Sequence, residues 1–200
     1  WWCSITVIGS AIGYRNDLIP ACSYLDTNYI VTKRRPVLRI KTCQSLSNLE
    51  NDRKNEHNLK LVFAPARHFS GRGFTDRWTT LWGSWVIQGK NEVIFFSGDS
   101  GYDTHFKEIG EKYGPFDFAM IECGQYNENW SQIHMMPEES AQAGMDVRAK
   151  AIMPIHWGAF TLALHSWTDP VERILIAADK LHLNVVTPII GEPIFLDDLE

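Results

Sequence analysis

The sequence predicts an α/β protein whose strands and helices alternate along residues 59–200. Short runs of strand-forming residues end in polar groups and small turn residues, and helices with proline or acidic starts lie between them. The composition, with 44% hydrophobic and 22% charged residues, is typical of a globular protein. Two hundred residues correspond to one ordinary domain with a sizeable core.

The elements follow one another in a regular order. The predicted strands are Lys60–Ala64, Leu81–Ile87, Val93–Ser97, Phe116–Glu122, Ala151–Ile155, Val185–Ile190 and Pro193–Leu196. One helix is predicted over Thr104–Tyr113. A second begins at Met136-Pro137-Glu138-Glu139, because proline suits the first helical turn and acidic residues favour its positive end. A third begins at Thr168-Asp169-Pro170, and its apolar residues recur at helical spacing as far as Leu181.

Residues 1–57 have a different character from the rest of the chain. They carry a net charge of +3, whereas residues 58–200 carry −8. Their candidate strands, Ser4–Ile8 and Tyr29–Thr32, are not followed by clear helices. We therefore predict two parts, an atypical N-terminal segment over 1–57 and an α/β domain over 58–200.

Composition also limits the classes of function. The net charge of −5 gives no support to nucleic-acid binding, and no apolar run is long enough to span a bilayer. The start, Trp1-Trp2-Cys3, has no charged region of the kind that begins a signal peptide. The four cysteines show no C-x-x-C spacing, which favours reduced thiols and a cytoplasmic protein.

Polar residues at three strand ends indicate a metal site. His68, Asp99 and His156 each follow a predicted strand and precede small or glycine-rich residues. Ligands in α/β proteins lie at the carboxyl ends of strands, and imidazole and carboxylate groups are zinc ligands. A carboxylate such as Asp99 can also bridge two metals. A single histidine of this kind is more often structural, but three such endings together favour a site.

The order of the motifs resembles the second half of the metallo-β-lactamase-fold hydrolases. The resemblance is strongest to the N-acyl-phosphatidylethanolamine phospholipase D-like group and more distant to the ascorbate-6-phosphate lactonase-like group. The motifs are Pro65-Ala66-Arg67-His68-Phe69-Ser70-Gly71-Arg72, Thr80–Trp85, Phe96–Tyr102, Lys107–Glu111 with Gly114–Asp117, His134–Glu138, and Ile155–Gly158.

This resemblance implies an αββα sandwich, of which the chain holds the second half, with a dinuclear metal site at the sheet edge. Two zinc ions are usual, and Mn²⁺ or Fe²⁺ are alternatives. His68 would bind the first metal, Asp99 would bridge both, and His156 would bind the second. A metal-bound hydroxide would attack a phosphodiester or a lactone, and Asp99 and His134 would be the catalytic residues.

The resemblance also implies contacts with the substrate, a phospholipid or a small molecule. His134 matches a position that contacts the phosphate or acyl side. His165 follows the His156 turn closely in sequence and so could line the same pocket. A role in lining the pocket and a purely structural role are equally favoured for it. Trp157, with Trp82 and Trp85, is more often core than part of an acyl pocket. A lipid substrate would add peripheral membrane association to the cytoplasmic location.

One family motif, His-x-His-x-Asp-His, is absent, and residues 1–57 contain a single histidine, His57. Two hypotheses account for this: the chain is truncated, or its first part is not homologous sequence. The competing class of function is a non-catalytic remnant without a complete metal site, and a lactonase is the alternative within the enzyme class. A lone half-domain would expose apolar surface and either form a homo-oligomer or aggregate.

The other candidate residues are assigned simpler roles. His57, His105 and His182 are expected at the surface. Glu122 and Cys123 end a predicted strand and could line the substrate pocket. Cys123 is not expected to be a nucleophile, because no histidine is predicted beside it.

Overall fold

The computed structural model describes residues 29–31, 59–71, 73, 75, 80–159 and 162–199. The predicted strand Ser4–Ile8 and His57 lie outside the described residues. The chain divides into two compact units, one of residues 1–56 and 188–200 and the other of residues 57–187. The second unit contains every candidate site residue that is described.

The strands are β1 (Tyr29–Val31), β2 (Lys60–Pro65), β3 (Gly83–Gln88), β4 (Val93–Phe96), β5 (Phe118–Glu122), β6 (Ala151–Ile155), β7 (Asn184–Val185) and β8 (Pro193–Phe195). The helices are α1 (His105–Tyr113), α2 (Pro137–Asp146) and α3 (Asp169–Leu181), with short 3₁₀ turns at Glu128–Trp130 and Leu196–Asp198. In the first unit, β1 and β8 pair in parallel.

The second unit is built on a mixed six-stranded sheet with the order β2-β3-β4-β5-β6-β7. Strand β3 is antiparallel to both β2 and β4, and the strands from β4 to β7 are parallel. Strands β2 and β4 therefore run in the same direction as β5 and β6. The carboxyl ends of these four strands meet at one edge of the sheet, which is where α/β proteins place their ligands.

Strands β5 and β6 form the centre of the core. All five residues of β5 are buried, as are the first four of β6. Such continuous burial is typical of parallel strands covered on both faces. Phe95, Phe106, Phe116 and Ile152 are fully buried in the same cluster. Each large apolar side chain buried in this way contributes about 1.5–3 kcal/mol, so this cluster holds the sheet edge in place.

The predicted α/β class is confirmed, and most predicted elements are present within two residues of their expected bounds. The predicted closing strand Val185–Ile190 is wrong, because β7 ends at Val185. The Val186 N–H still donates to the Ile152 carbonyl at 2.9 Å, but Pro188 has no N–H to continue a ladder. None of the helices in the described residues is long and apolar enough to cross a bilayer.

Candidate active site

Four side chains from separate segments meet at the carboxyl edge of the sheet. His68 and Asp99 each lie three residues beyond a strand, β2 and β4, and His156 directly follows β6. The His134 ring centroid lies 5.3 Å from that of His68 and 5.3 Å from that of His156. His156 Nδ1 lies 3.6 Å from Asp99 Oδ1. We call His68, Asp99, His134 and His156 the strand-end cluster.

Trp82 connects two of the loops that carry the cluster. Its ring stacks on His68 with centroids 4.4 Å apart, and its Nε1 donates to the Asp99 carbonyl at 2.8 Å. His68 Nδ1 lies 2.7 Å from the Phe69 carbonyl, which accepts only if that nitrogen carries the proton. This bond leaves the lone pair of His68 on Nε2. Trp82, which is expected to be a core residue, is half-buried, and it contacts both His68 and the Asp99 backbone.

Beneath the cluster lies the fully buried carboxylate of Glu122, at the end of β5. Its Oε2 accepts from the Ser100 N–H at 2.8 Å, and its Oε1 accepts from the Met135 N–H at 3.2 Å. The same Oε2 lies 3.4 Å from His134 Nδ1. Burial raises the pKa of Glu122 well above its usual value, although the two backbone donors act in the opposite direction. One carboxylate thus contacts the turn after Asp99 and the segment that carries His134.

Two glycines allow the loops of the cluster to approach closely. A Cβ atom at Gly101 would lie 2.2 Å from the Gln132 carbonyl oxygen, and one at Gly124 would lie 2.0 Å from the His156 carbonyl oxygen. Any other residue at either position would push apart the segments that carry His134 and His156. His156 itself has a φ of 68°, a left-handed conformation that is uncommon for a residue with a side chain.

Burial disfavours the protonated form of the three imidazoles of the cluster. Burial lowers the pKa of His68, His134 and His156 below 6.5, and the Asp99 carboxylate only partly opposes this effect. Neutral imidazoles retain a lone pair that can bind a metal or accept a proton. The electrostatics of the cluster therefore suit metal binding or proton transfer.

The donor types fit zinc, but the described part of the chain does not complete a metal site. Imidazole nitrogen and carboxylate oxygen are the groups that zinc prefers. Among the described residues, however, no three His, Cys, Asp or Glu side chains are placed to hold one ion. Within that same part of the chain, the buried Nδ1 of His134 has no hydrogen-bond partner. The metal-binding roles of His68, Asp99 and His156 stay predictions.

The two other predicted substrate-binding residues make contacts within the protein. His165 Nε2 accepts from the Gln125 N–H at 3.1 Å, and its Nδ1 lies 2.9 Å from the Ser166 carbonyl. Its ring also stacks on Tyr126, with centroids 4.2 Å apart. Trp157 Nε1 donates to the Pro154 carbonyl at 3.0 Å. Both ring nitrogens of His165 are therefore engaged in holding loops, and the substrate contacts predicted for His165 and Trp157 stay predictions.

His105 is half-buried rather than at the surface as expected. Its Nε2 lies 3.3 Å from Ser100 Oγ, and its ring packs against Phe106 with centroids 4.1 Å apart. The expectation of a surface position did not include this contact at the first turn of α1. Cys123 is buried and donates to the Pro170 carbonyl, and burial raises the pKa of its thiol. The expectation that it is not a nucleophile agrees with this environment.

Sequence reasoning placed Glu122 at a strand end but missed its contacts with the two loops. The signal available was a carboxylate closing the otherwise apolar run Phe118–Ile121. A charged group at such a position is seldom fully buried unless it is paired. The role of the glycines at 101 and 124 also went unpredicted, because it depends on segments far away in sequence.

Comparison with known proteins identifies the family. A family model described as a beta-lactamase superfamily domain matches residues 20–157. An uncharacterised protein of Mycobacterium tuberculosis is 47% identical over 137 residues, which cover 67% of this chain and 37% of that protein. The N-acyl-phosphatidylethanolamine-hydrolyzing phospholipase D 1 of Caenorhabditis elegans is 34% identical over 147 residues, covering 70% of this chain and 41% of that protein.

A solved structure shows the same fold. Igni18, described as a novel metallo hydrolase from the archaeon Ignicoccus hospitalis, matches with a TM-score of 0.53 and 19% identity, over 78% of this chain and 58% of that one. The predicted metallo-β-lactamase fold is confirmed. The family match begins at residue 20, and the boundary predicted at residue 57 stays a prediction. The chain, which spans about two fifths of the length of the two curated relatives, belongs to the beta-lactamase superfamily domain family.

Proposed function

We propose that this chain forms part of a metal-dependent hydrolase that cleaves a phosphodiester, with an N-acyl-phosphatidylethanolamine-like phospholipid as its substrate. The observation that carries the proposal is the strand-end cluster, in which three imidazoles and the Asp99 carboxylate meet at the carboxyl edge of the sheet. The phospholipid is supported by the similarity to the Caenorhabditis elegans phospholipase D.

Within this proposal, the side chains of the cluster have separate roles. Asp99, which is buried, supplies a carboxylate beside His156. His68 Nδ1 donates to the Phe69 carbonyl, so the lone pair of His68 is on Nε2 and would be the one that binds the metal. His134 lies between the other two rings, where its imidazole would contact a phosphate oxygen of the substrate.

We further propose zinc as the metal, with Mn²⁺ or Fe²⁺ as alternatives. The support is chemical, since the cluster offers imidazole and carboxylate donors. The described residues provide part of the ligand set, so the remaining ligands would come from elsewhere in the protein. Cytoplasmic location and homo-oligomerisation stay predictions.

Zinc content and hydrolysis test the proposal together. We expect the chain, dialysed against trace zinc, to retain metal by elemental mass spectrometry and to hydrolyse bis(4-nitrophenyl) phosphate faster than a panel of lactones. Asp99→Asn should lose both properties. Asp103→Asn, which removes an exposed carboxylate four residues away, is the matched control and should keep both. Equal zinc content in the two variants would contradict the proposal.

A second candidate is a non-catalytic remnant of the family. The incomplete ligand set in the described part of the chain favours it. In that case zinc content is near zero in the parent and in both variants, and neither the phosphodiester nor a lactone is hydrolysed.

A further inference from the structure

Glu122 is the one fully buried carboxylate among the described residues, and both hydrogen bonds of its side chain lead to the loops of the strand-end cluster. It lies on β5, between β4 and β6, whose ends carry Asp99 and His156. Nothing in the apolar packing of β5 requires an acidic group at this position. A carboxylate in such a place destabilises the fold unless its oxygens are hydrogen-bonded.

The contacts of Glu122 join two segments that are far apart in sequence. Oε2 accepts from the Ser100 N–H, directly after Asp99, and Oε1 accepts from the Met135 N–H, directly after His134. The Glu122 N–H donates to Ser97 Oγ at 2.9 Å, in the segment that follows β4. These three bonds fix the Asp99 turn and the His134 segment to a single residue of the central strand.

The Glu122 carboxylate also lies beside the ring of His134. Oε2 lies 3.4 Å from His134 Nδ1, and that nitrogen has no hydrogen-bond partner within the described residues. A carboxyl group placed behind a histidine of a site sets the orientation of the ring and which nitrogen faces the site. With Nδ1 on the side of the Glu122 carboxylate, Nε2 is the other ring nitrogen through which His134 can contact further groups.

We propose that Glu122 is a positioning residue of the strand-end cluster, acting through the Asp99 turn and through the His134 ring. This inference rests on the proposed hydrolase function for its kinetic consequence but not for its geometry. A residue with this role should affect mainly the rate of the chemical step, because the two residues that it holds, Asp99 and His134, are the proposed catalytic residues and it does not itself contact substrate.

The decisive variant is Glu122→Gln, which keeps the shape of the side chain and loses one of its two acceptor oxygens. For hydrolysis of bis(4-nitrophenyl) phosphate we expect kcat to fall about 10–100-fold, as is usual when such a supporting partner is removed. KM should change by no more than about threefold. Tyr102→Phe is the matched control, because it removes one hydrogen bond, to Asp146, away from the cluster. It should keep the kcat of the parent.

A second measurement separates this inference from the proposed function. If the parent chain hydrolyses nothing, the function fails, but long-range ¹⁵N NMR of the labelled histidine rings still tests the positioning. We expect the His134 ring nitrogens to shift in Glu122→Gln and to stay unchanged in Tyr102→Phe. Should Glu122→Gln not fold, Glu122→Asp, which keeps the carboxyl group but is one methylene shorter, takes its place with the same expectations.

Two results would overturn the inference. One is a kcat for Glu122→Gln equal to that of Tyr102→Phe at matched stability. The other is a His134 ring spectrum that Glu122→Gln leaves unchanged.

Discussion

Replacing Gly124 by alanine should destabilise the chain more than replacing Gly158 by alanine, although Gly158 has the positive φ that disfavours a side chain. A Cβ at Gly124 would lie 2.0 Å from the His156 carbonyl oxygen, 2.8 Å from the His156 carbonyl carbon and 3.0 Å from Trp157 Cα. All three atoms belong to the backbone, so the strand end itself must move. A Cβ at Gly158 would meet no atom within 4 Å, and its only cost is the positive φ of 78°.

The magnitudes follow from these two different causes. Overpacking in a well-packed interior costs about 1–3 kcal/mol, and a backbone clash at 2.0 Å belongs at the upper end, about 3 kcal/mol. A left-handed conformation costs a residue with a Cβ about 1 kcal/mol. With a urea m-value of about 2 kcal/mol per molar, the unfolding midpoint should fall by about 1.5 M for Gly124→Ala and about 0.5 M for Gly158→Ala.

The assay is urea unfolding of the parent and the two variants, followed by tryptophan fluorescence. If Gly124→Ala is no more destabilising than Gly158→Ala, then the β5 end and the His156 turn do not pack as closely as the structure places them. The same variant should also reduce hydrolysis by the proposed enzyme, because the shift moves His156.

Three further outcomes are expected. Tyr102→Phe should lower the free energy of unfolding by about 1 kcal/mol, measured in urea, because Asp146 loses one donor. Burial lowers the pKa of His105, so as the pH falls through about 6.5 the unfolded chain takes up a proton more readily than the folded chain. The free energy of unfolding of the parent should therefore fall relative to that of His105→Gln between pH 7.5 and about 5. A constant difference between the two proteins across that range would contradict this. Glu138→Gln should cost no more than about 1 kcal/mol by thermal unfolding, because the paired Glu138 and Arg173 side chains are partly exposed, and 0.5 M salt should reduce the difference.

The sequence predicted the strands and the polar residues at their ends because the signals are local. A run of apolar residues followed by a glycine-rich turn marks a strand end, as at Asp99 and His156. Local signals do not state which strands are neighbours. His68 lies beside Asp99 and His156 because β2 runs in the same direction as β4. The strand between them, β3, is antiparallel to both and so imposes this direction.

The parts of the site that escaped prediction are those made by contacts over long distances in sequence. The Ser100 N–H meets Glu122 across 22 residues, and Gly101 meets the Gln132 backbone across 31. His105 was misplaced for a different reason: its contact with Ser100 is only five residues away in sequence, but it depends on how the chain turns before α1.

The position of Glu122 connects these observations. A leucine in place of Glu122 would extend the apolar run Phe118–Ile121 and continue the core. The buried carboxylate of Glu122 instead costs several kcal/mol before its hydrogen bonds are counted. Leucine there would leave the Ser100 and Met135 N–H groups buried without an acceptor, at about 1–3 kcal/mol each. The expected apolar composition of a buried strand is therefore interrupted at the position where two loops of the strand-end cluster each need a hydrogen-bond acceptor. Such departures from local sequence rules are expected at functional sites.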